Sequence, residues 1–189
     1  PYHQHVSDKP EVLATKDAAS ALKGKRLSVS DQMVQVGPLG PLVGERDTLL
    51  EMRWENFDVQ MLGTTIGAVL NGLDLSKELH REATEEVQQA LDAYKVVFFR
   101  DQHLTPDQHL SFARCFGALE VHPFIPSHDK RPELVRFMKD ADTGGYENIW
   151  HHDVTWREHT SRSTNLRAVA VPPVGGAALV ADMWAAYEG

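Results

Sequence analysis

The sequence is poor in cysteine, since Cys115 is the only one in 189 residues. A single thiol excludes a disulfide within the chain, and reduced cysteine is typical of proteins from reducing compartments. We therefore predict a cytoplasmic location. Long apolar runs are also missing: the first residues contain no apolar signal region, and no stretch approaches the roughly 18 apolar residues of a transmembrane helix. No membrane-spanning or secretory segment is expected.

Basic residues are scarce relative to acidic ones, with 19 Lys and Arg against 27 Asp and Glu and a net charge of −8. They form no long run and no helical stripe, so neither a nucleic acid nor an anionic membrane surface is an expected partner. Gly175 and Gly176 follow a predicted strand without the G-x-G-x-x-G spacing or a following helix. A dinucleotide-binding or phosphate-binding loop is therefore not supported.

The distribution of polar residues predicts an extension followed by one domain. Hydrophobic residues make up 42% of the chain, which suits one core but not two. Residues 1–56 are polar and are interrupted by prolines. We interpret them as an extension that wraps the domain or a neighbouring subunit of a homo-oligomer, or that is partly mobile. We expect this extension, His3 and His5 included, to contribute no metal ligand. The domain itself is predicted to cover residues 57–189.

Local patterns between residues 57 and 117 predict three strands and two helices. FDVQML and IGAVLNGLDL read as strands, and VVFFR as a strand covered on both faces. A helix is predicted for TEEVQQALDAYK, and a second helix for LTPDQHLSFARCFG, with Thr105 as N-cap, Pro106 at the first helical position, Gln108 in a capping box and an end at Gly117. The buried face of the first helix is predicted to contain Val87, Ala90, Leu91 and Tyr94.

The later residues are predicted to be mainly extended. LVRFMK, NLRAVAV and ALVADM suit strands, and WAAYEG suits the start of a helix. Strands outnumber helices and the helices come early, which predicts an α+β or mainly β fold with an antiparallel or mixed sheet and a helical layer on one side.

The stretch NIWHHDVTW, residues 148–156, combines two histidines and an aspartate. On a strand, residues i and i+2 face the same side, so His151 and Asp153 would point together while His152 points away. One imidazole and one carboxylate are two members of the 2-His-1-carboxylate face that holds Fe(II). A solvated histidine pair on a surface turn is the alternative, although Trp150 and Trp156 indicate a half-buried strand end.

The sequence resembles the taurine dioxygenase and aryloxyalkanoate dioxygenase family. WHHDVTW is similar to that family's W-H-x-D-V-T-F segment, and four more segments match in the same order and at similar spacing: IGAVLNGLDLSKEL, YKVVFFRDQHLTPDQHLSFARCFGALEVHPFIP, VPPVGG and AAY. The resemblance begins at about Phe57. It implies a double-stranded β-helix, the jelly-roll or cupin-like fold with flanking helices, of which this chain would be an N-terminal part.

The same resemblance implies a set of site residues. His151 and Asp153 would bind Fe(II), and His122 matches a position that holds the anionic end of a substrate. Glu147 and Ile125 stand where the taurine enzyme has an asparagine and a tyrosine near the substrate. Trp156 is a further candidate substrate-binding residue.

Two further expectations follow from the same resemblance. Ala178 replaces the threonine of a G-G-D-T segment that contacts 2-oxoglutarate, and alanine donates no side-chain hydrogen bond. The family's third ligand, a distal histidine, and its 2-oxoglutarate-binding arginine lie far beyond the H-x-D pair. We expect this chain to be part of a longer polypeptide and to be inactive alone.

The implied activity is hydroxylation by an Fe(II)- and 2-oxoglutarate-dependent dioxygenase. The substrates would be O2 and a small, anionic organic molecule, and the products would include succinate and CO2. An aspartate at position 153, and not the small residue of related halogenases, favours hydroxylation over chlorination. Two alternatives remain open: a zinc metallohydrolase on the same fold, for which no general base stands out, and a non-catalytic family member, which GGAA favours.

Overall fold

The structure of this chain is a computed structural model. It describes residues 28–29, 32–33, 40–125, 127–128, 130–138 and 149–188. The chain divides into a unit of residues 1–39 with residue 189 and a unit of residues 40–188. In the first unit, β1 (Ser28–Val29) pairs with β2 (Gln32–Met33) in antiparallel fashion. His3 and His5 lie outside the described residues.

The second unit is built on a three-stranded mixed sheet, as predicted. β3 (Asp58–Met61) is antiparallel to β4 (Ala68–Asn71), with Asp58 opposite Asn71. β5 (Val97–Phe98) is parallel to β4, with Ala68 opposite Val97. A parallel neighbour requires a crossover, and α2 (Arg81–Tyr94) makes it. The predicted strand VVFFR is shorter than expected and is not covered on both faces, because Phe98 is 38% exposed.

The predicted apolar face of α2 is confirmed. Val87, Ala90 and Tyr94 are buried and Leu91 is half-buried, while Ala83 extends the same face by one turn. The hydroxyl of Tyr94 donates a hydrogen bond to the carbonyl oxygen of Leu49, at 3.3 Å, in α1 (Gly40–Glu51). These residues belong to one core cluster, whose buried members are Leu49, Phe57, Ala68, Leu70, Leu75, Val87, Ala90, Tyr94 and Phe112.

The start of the second predicted helix is also confirmed. In α3 (Pro106–Ala113), the Thr105 hydroxyl accepts the N–H of Gln108, and the Gln108 side chain accepts the N–H of Thr105. A 3₁₀ turn, Arg114–Phe116, follows and ends at Gly117, whose φ of 137° favours glycine. Local side-chain hydrogen bonds therefore define the start of this element, and a glycine with positive φ ends it.

A second antiparallel pair follows, formed by β6 (Ser127–His128) and β7 (Arg131–Val135). β7 overlaps only the start of the predicted strand LVRFMK. The Arg131 guanidinium donates to both carboxylate oxygens of Asp107, at 2.6 and 2.7 Å, which attaches the pair to the first turn of α3. This ion pair lowers the pKa of Asp107 below its ordinary value.

The strands predicted over NLRAVAV, ALVADM and the H-x-D segment are wrong for the described residues. Residues 149–182 contain no strand, and α4 (Met183–Glu188) is the helix expected at WAAYEG. A strand needs a hydrogen-bonding neighbour, and no described segment pairs with these residues. The double-stranded β-helix is accordingly seen only as a small partial sheet with helices, and its closure stays a prediction.

Part of the predicted extension packs on the domain. Leu49 of α1 is 5% exposed and belongs to the core, and the Trp54 ring stacks on that of Phe57 at 5.4 Å. Residues 40–56 therefore pack against the domain and contribute Leu49 to its core, while the boundary predicted after residue 56 stays a prediction. No helix among the described residues is long and apolar enough to cross a membrane.

Glu86 provides a test of how residues 55–56 are attached to α2. Its carboxylate accepts the backbone N–H groups of Glu55 and Asn56 and the side-chain amide of Asn56, at 3.0–3.1 Å. Burial raises the pKa of Glu86, but these hydrogen bonds outweigh it and hold the pKa below the ordinary value. We expect Glu86→Gln to lower the free energy of unfolding by about 1 kcal/mol at pH 7. Urea-induced unfolding of the two proteins measures this change in the free energy of unfolding.

The pH dependence of that effect has a defined sign. A depressed folded-state pKa stabilises the fold above the unfolded pKa of about 4.3, and this contribution is lost as the pH falls through the folded pKa. The difference in the free energy of unfolding between wild type and Glu86→Gln should therefore disappear in acid. Glu85→Gln, on an exposed residue paired with Arg81, is the control and should change stability little. Equal effects of the two substitutions would contradict the assignment.

Candidate metal centre

The side chains of His151 and Asp153 converge. The Nε2 atom of His151 lies 3.6 Å from Oδ1 of Asp153. The Nδ1 atom of His151 faces the carbonyl oxygen of Ile149 at 3.1 Å. A carbonyl only accepts, so Nδ1 carries the proton of the neutral ring and Nε2 keeps its lone pair. A metal-binding histidine has this tautomer when its second nitrogen donates to a backbone carbonyl.

His152 is held separately from this pair. Its Nδ1 atom bonds to the backbone carbonyl of Asp153, at 3.0 Å, and its side chain is exposed. Strand alternation was expected to separate it from His151 and Asp153, but this segment is an irregular loop that turns at residues 153–156. Val154 has a φ of 54°, which an L-residue other than glycine seldom adopts. A turn, and not a strand, brings His151 and Asp153 together.

Thr164 orients the Asp153 carboxylate. Its hydroxyl donates to Oδ2 of Asp153 at 2.9 Å, so that Oδ1 is the oxygen on the His151 side. Sequence reasoning missed this residue, because a hydroxyl eleven positions away carries no local signal.

Polar contacts attach the segment that contains Thr164 to α2, to α3 and to Glu120 in the loop after the 3₁₀ turn. Arg157 and Ser161 both donate to the carboxylate of Glu120. Further contacts join Arg162 to Asp92, at 3.0 Å, and His109 to Asn165, at 2.7 Å. Arg167 also donates to the carbonyl oxygen of Leu104.

The two donor atoms fit a single metal ion. Bonds from a metal to an imidazole nitrogen or a carboxylate oxygen are about 2.1 Å long, so donors 3.6 Å apart can share one ion. The side chains are 59% and 51% exposed, and the described residues contain no group of three histidine, cysteine or acidic side chains suited to a metal. Residues 40–125, 127–128, 130–138 and 149–188 therefore provide two ligands and no third.

The tautomer of His122 makes its Nε2–H group a hydrogen-bond donor. Its Nδ1 atom accepts the backbone N–H groups of Phe124 and Ile125, at 3.2 and 3.1 Å. In the neutral ring the proton is then on Nε2. The Phe124 ring lies 6.1 Å from that of His122 and 5.8 Å from that of Trp156. The loop with His122 and half-buried Ile125 is thus linked to the H-x-D segment by aromatic contacts.

The other predicted site residues are less defined. Glu147 lies outside the described residues. Ala178 is exposed, in an irregular segment between Gly176 and α4. A hollow of about 310 Å³, lined by residues 102–105 and 167–169, contains none of the predicted site residues. The structure therefore joins His151 with Asp153 directly, and His122 with Trp156 through Phe124. No hydrogen bond or ion pair among the described residues joins Ala178 to either pair.

Thr164→Val tests the support of the Asp153 carboxylate. Loss of a hydrogen bond to a metal ligand weakens metal binding by about tenfold or more. We expect this decrease for Mn(II), measured by the electron paramagnetic resonance signal of the free ion. Thr160→Val is the control, because Thr160 is exposed and has no hydrogen-bond partner among the described residues. Unchanged affinity in Thr164→Val would show that Thr164 does not support the site.

The chain is similar in sequence to known dioxygenases. The chain is 36% identical over 132 residues to an alpha-ketoglutarate-dependent sulfate ester dioxygenase of Pseudomonas putida, covering 69% of this chain and 43% of that protein. It is 35% identical over 138 residues to a (S)-phenoxypropionate/alpha-ketoglutarate-dioxygenase of Sphingobium herbicidovorans, with coverages of 70% and 47%. The chain thus spans about half the length of these curated relatives.

The chain is also similar to a solved structure and matches a family model. A putative alpha-ketoglutarate-dependent taurine dioxygenase from Burkholderia xenovorans is 38% identical, with a TM-score of 0.39 over 40% of this chain and 28% of that one. Residues 58–189 match the model of the taurine catabolism dioxygenase TauD, TfdA family. With more than half of its residues matched, the chain belongs to this family of 2-oxoglutarate-dependent dioxygenases.

Proposed function

We propose that this chain is part of an Fe(II)- and 2-oxoglutarate-dependent dioxygenase that hydroxylates a small anionic organic substrate. The overall reaction converts the substrate, O2 and 2-oxoglutarate into the hydroxylated product, succinate and CO2. The observation that carries the proposal is the convergence of His151 Nε2 and Asp153 Oδ1 at 3.6 Å within the matched family segment. The family uses Fe(II) and 2-oxoglutarate.

The chain's own residues prepare the metal site. The Ile149 carbonyl fixes the tautomer of His151, and Thr164 fixes the orientation of Asp153. Fe(II) bound there would supply the one-electron and O2 chemistry that no side chain provides. We propose that the third ligand and an arginine for 2-oxoglutarate come from the part of the relatives' length that this chain does not match.

The substrate proposal rests on His122. Its Nε2–H is left as a donor, which suits an anionic group such as a sulfate or carboxylate. Two relatives are named for a sulfate ester and for phenoxypropionate, both of which carry such groups. Ile125 and Trp156 offer apolar surface beside it, and Glu147 is proposed as a further substrate contact.

Position 178 favours one alternative function. Alanine gives no hydrogen bond to 2-oxoglutarate where the family resemblance implies a threonine. A family member that no longer turns over 2-oxoglutarate would have this feature. Oxygen uptake and succinate formation, assayed with Fe(II) in a polypeptide extended to the relatives' length, separate the two: succinate formation supports the oxygenase, and its absence across sulfate esters and aryloxyalkanoates supports the non-catalytic member.

The adjacent histidines provide a matched pair of variants for that assay. We expect His151→Ala to reduce Fe(II)-dependent succinate formation more than a hundredfold, because it removes a metal ligand. His152→Ala should stay within about threefold of the parent, since the hydrogen bond of His152 among the described residues is to the backbone carbonyl of Asp153. If His152→Ala is as damaging as His151→Ala, the ligand assignment is wrong.

Ala178→Thr tests the proposed 2-oxoglutarate contact. A restored hydroxyl donor to a carboxylate should lower the KM for 2-oxoglutarate about tenfold, with little change in kcat. Ala177→Thr adds the same side chain one residue earlier and should not reproduce the effect. A KM unaffected by Ala178→Thr, or lowered equally by both variants, would remove position 178 from the site.

A further inference from the structure

Lys95 is at the centre of a polar cluster that lies apart from the candidate metal centre. It follows the last residue of α2 and has a φ of 65°. Its ammonium group donates to a carboxylate oxygen of Glu45 in α1 and to the Thr65 carbonyl, at 2.8 Å, and it lies 3.2 Å from Oδ2 of Asp182. An ammonium group has three protons. Three acceptors from three separate segments therefore use all of them.

Both carboxylate oxygens of Asp182 also have polar partners. Its Oδ1 atom accepts the backbone N–H groups of Trp184 and Ala185, both at 3.0 Å, at the start of α4. Its Oδ2 atom accepts the hydroxyl of buried Thr65, at 2.7 Å, and faces Lys95. Burial raises the pKa of Asp182, but the hydrogen bonds from Thr65, Ala185 and Lys95 outweigh it and keep the pKa below its ordinary value.

The surrounding segment has few other attachments. None of the described residues 168–187 is buried. Within residues 168–187, hydrogen bonds and ion pairs to described residues outside the segment are made by Asp182 alone. Many of the large apolar side chains in this segment are exposed, including Val169, Val174 and Leu179. Apolar burial therefore does little to fix residues 175–187, and the Asp182 carboxylate is the main polar attachment.

We propose that Lys95, acting through Asp182, is a positioning residue that fixes residues 175–187 against the end of the sheet. Ala178 lies four residues before Asp182 in this segment. The consequence for 2-oxoglutarate binding rests on the proposed function, whereas the attachment itself does not. Lys95 thus links α1, the turn between β3 and β4, and the segment that carries the proposed co-substrate contact.

Backbone NMR order parameters of the 189-residue chain test the attachment directly. In the parent, the order parameters of amides 182–186 should be near 0.85, the value of a rigid backbone. Lys95→Met should lower these order parameters to below about 0.6, while those of α2 and β4 stay near the rigid value. Lys77→Met is the matched control, since Lys77 also pairs with an aspartate, Asp74, but is exposed. Unchanged order parameters in Lys95→Met, or an equal loss in α2 and β4, would overturn the proposal.

Asp182→Asn isolates the ionic part of the attachment. Asparagine keeps an oxygen for the α4 N–H groups or for Thr65 but has no charge for Lys95. The single variant should loosen the same amides, and the double variant with Lys95→Met should be no looser than Lys95→Met alone. Additive losses would mean that the two residues act independently. If Lys95→Met does not fold, Asp182→Asn alone decides, because it leaves the bonds from Lys95 to Glu45 and Thr65 in place.

A kinetic measurement separates positioning from general stability. In a polypeptide extended to the relatives' length, Lys95→Met should raise the KM for 2-oxoglutarate about tenfold and leave the metal affinity within about threefold. Lys95→Arg, which keeps the charge, should recover part of the loss. Equal loss of metal affinity would overturn the positioning role. If the parent forms no succinate, the proposed function fails, and the order parameters still decide the role of Lys95.

Discussion

The described structure depends on the burial of one face of α2 against the mixed sheet. Ala90 of the helix and Ala68 of β4 are completely buried, and both belong to the single core cluster. Tyr94, at the end of the same face, extends the cluster to α1 through its hydroxyl. All buried residues of the described chain lie between Leu49 and Phe112. The segment with the candidate metal ligands is therefore placed by polar contacts and aromatic rings, with little help from burial.

Because the buried residues of the described chain all precede the ligand segment, the candidate site is oriented by hydrogen bonds but remains exposed. The His151 and Asp153 side chains are oriented by a carbonyl and by Thr164, yet both are more than half exposed. Exposed ligands face water, and a dioxygenase site has to exclude water around the reacting groups. The geometry is thus suited to binding a metal, while the described residues leave both ligands open to water. Glu120, in the irregular segment after the 3₁₀ turn, accepts hydrogen bonds from Arg157 and Ser161 and so supports the segment that contains the ligands.

The sequence allowed the helices to be predicted better than the late strands, for a physical reason. The capping box of Thr105 and Gln108 and the apolar face of α2 are local signals, and both are confirmed. Strands need a distant partner, so alternation alone wrongly predicted strands near residues 165–171 and 178–183. The metal-ligand candidates were recognisable from their spacing and family resemblance. Thr164 and Lys95 were not, because their contacts join residues far apart in the sequence.

The central claim is that the chain holds a metal ion between His151 and Asp153. Paramagnetic Mn(II), titrated in substoichiometric amounts into the ¹⁵N-labelled 189-residue chain, broadens the amide resonances nearest to it. The structure predicts that broadening begins at residues 151–153 and at Thr164, and that Asp153→Asn abolishes it there. Broadening centred on His3 and His5, on His122 or His159, or spread evenly over the acidic surface would contradict the account.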